Sequence, residues 1–433
     1  MGRKSRHIRL QVILNGDPVG RLTKDAQGKM EFAYAPKWLE SPGAIPVSLS
    51  LPLRGMAYRG PEVEAYFDNL LPDNEEIRRR IAQRMATEGR GTLDLLGAIG
   101  RDCIGALQFL PEGESYQAAG PIEAEPLLDR EIADILRNLK ADPLGLNREA
   151  EFRISIAGAQ EKTALLHWKG KWCRPRGMTP TTHILKPSLG RLPNGIDLSE
   201  SVANEWVCLK LAEYFGLAVA QAEIKSFDGI SCLVVERFDR AWLPNKKRLM
   251  RIPQEDLCQA LGIPWSRKYQ SDGGPGIIDI MNFLNASDQR GRDREQFMRA
   301  QMCFFLLGAI DGHAKNFSIT LLPTGFRLTP IYDVMTVWPV LAGRQIELKQ
   351  AKLAMSVGDG GHYRLGEIQR RHWEQTAKSA GFPKNDLDDL IQDLADRVRK
   401  MDSFAKGLKN KASPAMMDVL LDGIKRHGKA LAH

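Results

Sequence analysis

The 433-residue sequence predicts an α+β fold in unequal parts: a small α+β unit, a strand-rich segment holding one strong helix, and a mainly helical remainder. Three observations predict it. Short runs of alternating apolar and polar residues, broken by turns such as Asn15-Gly16 and Asp228-Gly229, dominate up to about residue 250. Beyond that point apolar residues recur mostly at helical spacing. A composition of 43% hydrophobic and 26% charged residues is that of an ordinary globular chain. A strand-rich segment with one helix, joined by one connection to a helical segment, is the order of a two-lobed protein-kinase-like fold, with nucleotide in the cleft between the lobes.

Residues 1–112 form the small N-terminal α+β domain. IRLQVIL, PVGRLTK and MEFAYA alternate as strands, separated by turns at Asn15 to Asp17 and Asp25 to Gly28. Two helical patterns follow, VEAYFDNLLPDNEEIRRRIAQRM, broken near Pro72, and TLDLLGAIG; IGALQFLPEG reads as the closing strand. Residues 113–149 are a linker rich in Gly, Pro, Glu and Ala, with an amphipathic helix in DREIADILRNLKA. Residues 150–250 are the strand-rich, nucleotide-binding lobe: FRISIAG, KTALLHW, KWCRP and THILKP, the helix ESVANEWVCLKLAEYFGL, then AVAQAEIKSF and SCLVVERFD. Residues 251–433 are the helical lobe, interrupted by a strand pair in FSITLLPTGFRLTPIYDV.

The chemistry these patterns exclude is as informative. No window approaches 18 uninterrupted apolar residues, so no membrane partner is expected, and the basic start MGRKSRHIRLQVIL lacks a signal core and a good myristoylation pattern; the expected location is cytoplasmic. Six scattered cysteines without a CxxC pair argue against zinc and a disulfide framework; several lie in apolar runs as small hydrophobes. A net charge of +8 allows acidic or nucleic-acid partners without requiring them. There is no GxSxG elbow and no HExxH.

The best chemical constellation is Asp311-Gly-His-Ala-Lys-Asn316, after a long apolar helix and before strand-like FSITLL. Phosphoryl transfer needs a carboxylate to accept the proton of the attacking hydroxyl and oxygen ligands for Mg2+. An Asp followed five residues later by an Asn has the spacing of a kinase catalytic loop, and Asp333, seventeen residues further in TPIYDVM, stands where a metal-binding Asp is expected. Lys186, at the end of the strand THILKP, can reach the phosphates of ATP and pair with a carboxylate of the next helix, Glu200 or Glu205. ISIAGAQEKTALL is a small-residue loop whose N–H groups can cradle phosphate, although it is neither a Walker A loop nor a Gly-x-Gly-x-x-Gly loop. VVERFDR can present hinge backbone to an adenine or be a surface ion-pair run. Ser155 is a modification site or an ordinary strand serine, and His313 sits inside the Asp311 loop.

These residues resemble the HipA family, serine/threonine kinase toxins of bacterial HipBA toxin–antitoxin pairs. FDNLLPDNEEIR and LLGAIGRDCIGAL resemble the family's N-terminal domain. ISIAGAQEKTALL, THILKP, VANEWVCLKLA, VVERFDR, PQEDLCQALG, SDGGPG, DGHAKNFS, LTPIYDV and KLAMSVG resemble its kinase domain, in the family's order. The resemblance implies Asp311 as catalytic base, Asn316 and Asp333 as Mg2+ ligands, and Lys186 on the phosphates. It implies a phosphate-covering loop of Ala157, Gly158, Ala159, Gln160, Glu161 and Lys162, with His313 nearby. It implies an adenine hinge of Glu236, Arg237 and Phe238, and inhibitory autophosphorylation at Ser155. It implies a HipB-like helix-turn-helix antitoxin as partner, operator DNA reached mainly through that antitoxin, and glutamyl-tRNA synthetase as a substrate whose phosphorylation causes growth arrest and persistence. Glu205 is preferred to Glu200 as partner of Lys186. The competing readings are a catalytically silent corepressor acting with a DNA-binding antitoxin, and a small-molecule kinase of related fold. No His-Arg precedes Asp311, and Asp333 lies in Tyr-Asp-Val rather than Asp-Phe-Gly.

Overall fold

The computed structural model describes residues 8–25, 27–114, 121–146, 152–244 and 248–432. The opening MGRKSR and parts of the linker, 115–120 and 147–149, lie outside the described residues.

The N-terminal unit is a five-stranded antiparallel sheet of β1 (Leu10–Leu14), β2 (Asp17–Lys24), β3 (Met30–Tyr34), β4 (Tyr58–Arg59) and β5 (Leu107–Pro111), in the order β4-β3-β2-β1-β5. Its helices are α1 (Pro36–Leu39), α2 (Pro61–Asp68), α3 (Glu75–Met85) and α4 (Thr92–Ile99). The break near Pro72 is a tight corner between α2 and α3. Asn74 caps α3, its Oδ1 accepting from the N–H groups of Glu76 and Ile77.

A six-stranded antiparallel sheet follows, in the order β12-β13-β9-β7-β8-β6. Its strands are β6 (Ala124–Pro126), β7 (Thr163–Trp168), β8 (Lys171–Pro175), β9 (His183–Pro187), β12 (Ala222–Phe227) and β13 (Ile230–Glu236). A two-strand ribbon, β10 (Gly190–Arg191) with β11 (Asp197–Leu198), precedes the long helix α6 (Ser201–Tyr214), and α5 (Asp129–Asn138) precedes β7. The apolar face of this sheet and that of the N-terminal unit share one continuous core, from Leu10 and Phe109 to Ile154, Leu165 and Val234.

FRISIAG departs from its expected strand. Phe152, Ile154 and Ile156 are buried as the alternation predicts, but so is Ser155, and both edges of β7 are already paired, to β8 and β9. The segment instead hydrogen-bonds the N-terminal unit, Ser155 N–H donating to Asp102 O at 3.0 Å.

Beyond β14 (Arg240–Trp242) and β15 (Leu249–Arg251), the sheet β16-β17-β18 (Gln254–Asp256, Ser318–Leu322, Gly325–Leu328) lies among α7 (Leu257–Ala260), α8 (Ile277–Phe283), α9 (Arg290–Leu307) and α10 (Trp338–Ala342). DLCQALGI yields only the single turn of α7, capped by Asp256 on Gln259 N–H at 2.9 Å. The hairpin β19–β20 (Lys352–Val357, His362–Arg364) and α11 (Arg370–Ser379), α12 (Lys384–Lys406) and α13 (Pro414–Ala432) complete a second apolar core. All six cysteines are buried. Among the described residues, no helix is long and apolar enough to cross a membrane.

Candidate active site

A cleft of about 380 Å³ opens where the six-stranded sheet, the helical lobe and the N-terminal corner meet. Lys186, on β9, is buried and points into it. Its Nζ donates to Glu205 Oε1 at 2.7 Å and Asp333 Oδ1 at 3.0 Å. Glu205 lies on the inward face of α6; Glu200 caps that helix from outside and accepts from Ser413, so Glu205 is the partner. Burial acts against all three charges. For Lys186 the carboxylates of Asp333 and Glu205 outweigh it and hold the ammonium above its ordinary value. For Asp333, Lys186 and Lys162 outweigh it and hold the carboxyl well below the usual range. For Glu205 burial wins, and its carboxyl is raised.

Asp333 has a left-handed backbone, φ 59°, uncommon outside glycine. Asn316 lies beneath it, its Nδ2 donating to Asp311 O at 2.7 Å, so its amide oxygen faces away from that bond. Asp311 stands at the mouth, its side chain 61% exposed. Its Oδ1 accepts from the Tyr269 hydroxyl and lies 3.8 Å from His313 Nε2. His313 is buried edge-on to the Tyr269 ring, and burial, with Lys268 nearby, pushes its imidazole down to about 3, so it is neutral.

The loop after Ile156 forms the roof. Gly158 has φ 107°, a backbone conformation that favours glycine, and a side chain there would push aside the Lys162 Nζ tip. Lys162 Nζ donates to Ala157 O at 2.8 Å, and burial together with Lys186 lowers its ammonium to about 8. Gln160 Nε2 donates to Pro187 O at 3.2 Å. Ala157, Gly158, Ala159, Gln160 and Lys162 all line the cleft. Glu161 does not: it turns outward to pair with Arg80 at 2.5 Å. Ser155 is fully buried outside the cleft wall, its Oγ donating to Leu70 O at 2.7 Å.

The apolar end is bounded by Ile184, Leu209, Val235, Phe238 and Tyr332, with Leu189, Leu192 and Leu198 around the β10–β11 ribbon. Glu236 and Arg237 line it by their backbone segment, and their N–H groups are bonded to Gln221 O at 2.8 Å and Thr182 O at 2.9 Å. ERFDR is not a surface ion-pair run. Arg237 and Arg240 point inward and, with Arg251, surround Asp102 of the N-terminal unit at 2.9–3.2 Å; Asp239 pairs with Arg237 at 2.7 Å. These side chains are at most 5% exposed, so the segment is anchored from behind by a buried charge network.

Sequence reasoning missed the floor. Asn69 and Asp73, from the α2–α3 corner, line the cleft with Lys268, Lys315, Gln254 and Asp256. The polar residues punctuating apolar FDNLLPDNE were the available signal, but nothing local says which lysines they meet.

Among the described residues, no group of three or more His, Cys, Asp or Glu is placed to hold a metal alone. Asn316 and Asp333 supply oxygen donors only. That set fits Mg2+, which takes one or two protein oxygens and completes its shell with water and phosphate.

Comparison with known proteins agrees with this architecture. Residues 154–401 match the HipA-like C-terminal domain and residues 10–110 the HipA N-terminal domain. The chain is 34% identical over 90% of its length to a Sinorhizobium fredii protein named "Putative kinase Y4mE", covering 91% of that protein. It is 28% identical over 90% of its length to the serine/threonine-protein kinase toxin HipA of Shewanella oneidensis, covering 88% of it. In fold it is similar to a chain from the solved complex of HipA, HipB and operator DNA from Shewanella oneidensis, with a TM-score of 0.79 at 23% identity over 98% of this chain and 99% of that one. With both family domains matched in order and a relative 34% identical over 90% of its length, the chain belongs to the HipA family.

Proposed function

We propose that this chain is an ATP-dependent serine/threonine protein kinase toxin. The observation that carries the reading is the convergence of Lys186, Glu205, Asp333, Asn316 and Asp311 on one cleft from four separate segments of the chain. Two relatives carry kinase in their names.

Lys186, fixed by Glu205, holds the nucleotide phosphates, and Lys162 with the Gly158 loop covers them. Asn316 and Asp333 would hold Mg2+, which would supply positive charge to offset that of the phosphates. Asp311, open at the cleft mouth, orients a serine or threonine hydroxyl and accepts its proton as the oxygen bonds to the γ-phosphorus and the bond to ADP breaks. With the Glu236 and Arg237 N–H groups already bonded, adenine recognition falls to Phe238 N–H and the carbonyls of that segment, between Val235 and Tyr332.

Ser155 serves as the inhibitory autophosphorylation site. Its hydroxyl is buried against a carbonyl, and a phosphoserine adds roughly −1.5 to −2 charge. The loop cannot keep that packing once modified, so it leaves the cleft and nucleotide affinity falls. The partner is a HipB-like antitoxin that carries the complex to operator DNA, as its structural relative in the HipA, HipB and operator DNA complex suggests. The substrate is a translation enzyme of the glutamyl-tRNA synthetase kind, whose modification arrests growth and yields persistence.

The test is transfer of labelled γ-phosphate from Mg-ATP by wild type and Asp311→Gln, with the labelled residue mapped by mass spectrometry. Label on protein in wild type only supports the kinase reading. No transfer from unphosphorylated protein that binds ATP favours a silent corepressor.

A further inference from the structure

The α2–α3 corner touches both the roof loop of the cleft and the loop that carries Asp311 and Asn316. Asp73 N–H donates to Gly158 O at 3.2 Å, tying the corner to the phosphate-covering loop. The Asp73 carboxylate lies between two lysines, with Lys315 Nζ 2.9 Å from Oδ1 and Lys268 Nζ 3.0 Å from Oδ2. The first contact is an ion pair rather than an aligned hydrogen bond, since Oδ1 has no hydrogen-bond partner. Burial alone would raise this carboxyl, but the two lysines bring it down to about 2, so it is anionic at every working pH.

The positions of those lysines matter. Lys315 precedes Asn316, and its Nζ also donates to Asn69 Oδ1 at 2.7 Å and lies 3.7 Å from Asp256. Lys268 precedes Tyr269, whose hydroxyl donates to Asp311. Thus one carboxylate of the N-terminal unit holds the lysines that immediately precede Asn316 and Tyr269, the latter the hydrogen-bond donor to Asp311. Asp73 cannot reach the exposed carboxylate of Asp311 except through them.

We infer that Asp73 is a positioning residue for phosphoryl transfer: the N-terminal unit sets the catalytic loop through the Lys315–Asp73–Lys268 bridge. This rests on the kinase reading above. Without the bridge, Lys315 keeps only Asn69 and Asp256, and Lys268 loses the anchor that steadies Tyr269. A misplacement of the loop on the order of 1 Å costs roughly 100-fold in rate.

The experiment measures kcat and KM for Mg-ATP in the full chain, with nucleotide Kd and thermal unfolding as controls. Asp73→Asn is expected to lower kcat by about 10- to 100-fold, to leave the Kd for Mg-ATP within a few-fold, and to be partly rescued by Asp73→Glu. A folded Asp73→Asn with wild-type kcat overturns the inference, as does a loss confined to KM. Should Asp73→Asn fail to fold, Lys268→Gln removes one arm of the bridge, and an unchanged kcat there also overturns it. Absence of transfer by wild type instead refutes the kinase reading, so the two failures are distinct.

Discussion

Lys186 Nζ stands 3.0 Å from Asp333 Oδ1 across the cleft, joining the last residues of a strand in one lobe to a left-handed aspartate in the other. The two positions are 147 residues apart in sequence. With Glu205 at 2.7 Å on its other side, the ammonium is shared by two carboxylates before nucleotide arrives. Replacing Lys186 by Met strands Glu205, which is buried. Stability should fall by about 3 kcal/mol in denaturant unfolding, and binding of Mg-ATP should be lost. A variant as stable as wild type contradicts the coupling.

Asp311 is exposed and contributes little packing, so Asp311→Gln should unfold like wild type and bind nucleotide with a Kd within a few-fold. Phosphoryl transfer should fall by about 100-fold or more. Asp333→Ala should in addition weaken Mg2+-dependent ATP binding. Equal turnover of Asp311→Gln and wild type would remove Asp311 from the role of base.

Lys162 gives the pH dependence. Its folded value of about 8 lies below the ordinary 10.5 because burial and Lys186 oppose its charge. The cation attracts phosphate and is present below about pH 8. The Kd for Mg-ATP should therefore rise as pH increases through about 8, and Lys162→Met should flatten the profile. The unfolded chain holds that proton up to the ordinary value of 10.5, so the cost of burying this ammonium is relieved, and folding stability rises, between about pH 8 and 10.5. Isothermal titration between pH 6.5 and 9 reads the binding effect.

Asp102 neutralises three buried guanidinium groups, those of Arg237, Arg240 and Arg251. Asp102→Ala leaves them with Asp239 as the neighbouring carboxylate, so a loss of about 3–5 kcal/mol is expected in urea unfolding. The hinge segment should loosen with it, seen as faster hydrogen exchange at Arg237 and Phe238.

Ser155→Ala should retain transfer and lose only the label mapped to that position. Ser155→Glu forces a charge against Leu70 O, and limited proteolysis should cut near Gly158 faster while the Kd for ATP rises. Protection equal to wild type in Ser155→Glu runs against loop release.

The sequence alone determined the order of the elements and the reactive residue types. Strand-like runs marked most strands of both sheets, though not β4 or β6, and helical patterns marked α6, α9 and α12, because local pattern follows which faces meet the core, one face of α12 and most sides of α6 and α9. The Asp311, Asn316 and Asp333 spacing was legible because one loop and the strand pair after it hold them together. Only the tertiary structure decided what lies across from what. FRISIAG alternates like a strand, yet the edges of its neighbour β7 are taken by β8 and β9, and it packs against Asp102 and Leu70 instead. ERFDR carries the charges of a solvated run, but Asp102, 135 residues earlier, buries them. Glu205 rather than Glu200 meets Lys186 because one lies on the inward face of α6 and the other at its cap. Asp73 meets Lys315 only because the N-terminal unit packs against the helical lobe at the cleft floor. Periodicity is set within a few residues, whereas the neutralisation of a buried charge is set by whichever distant segment the packing brings to it.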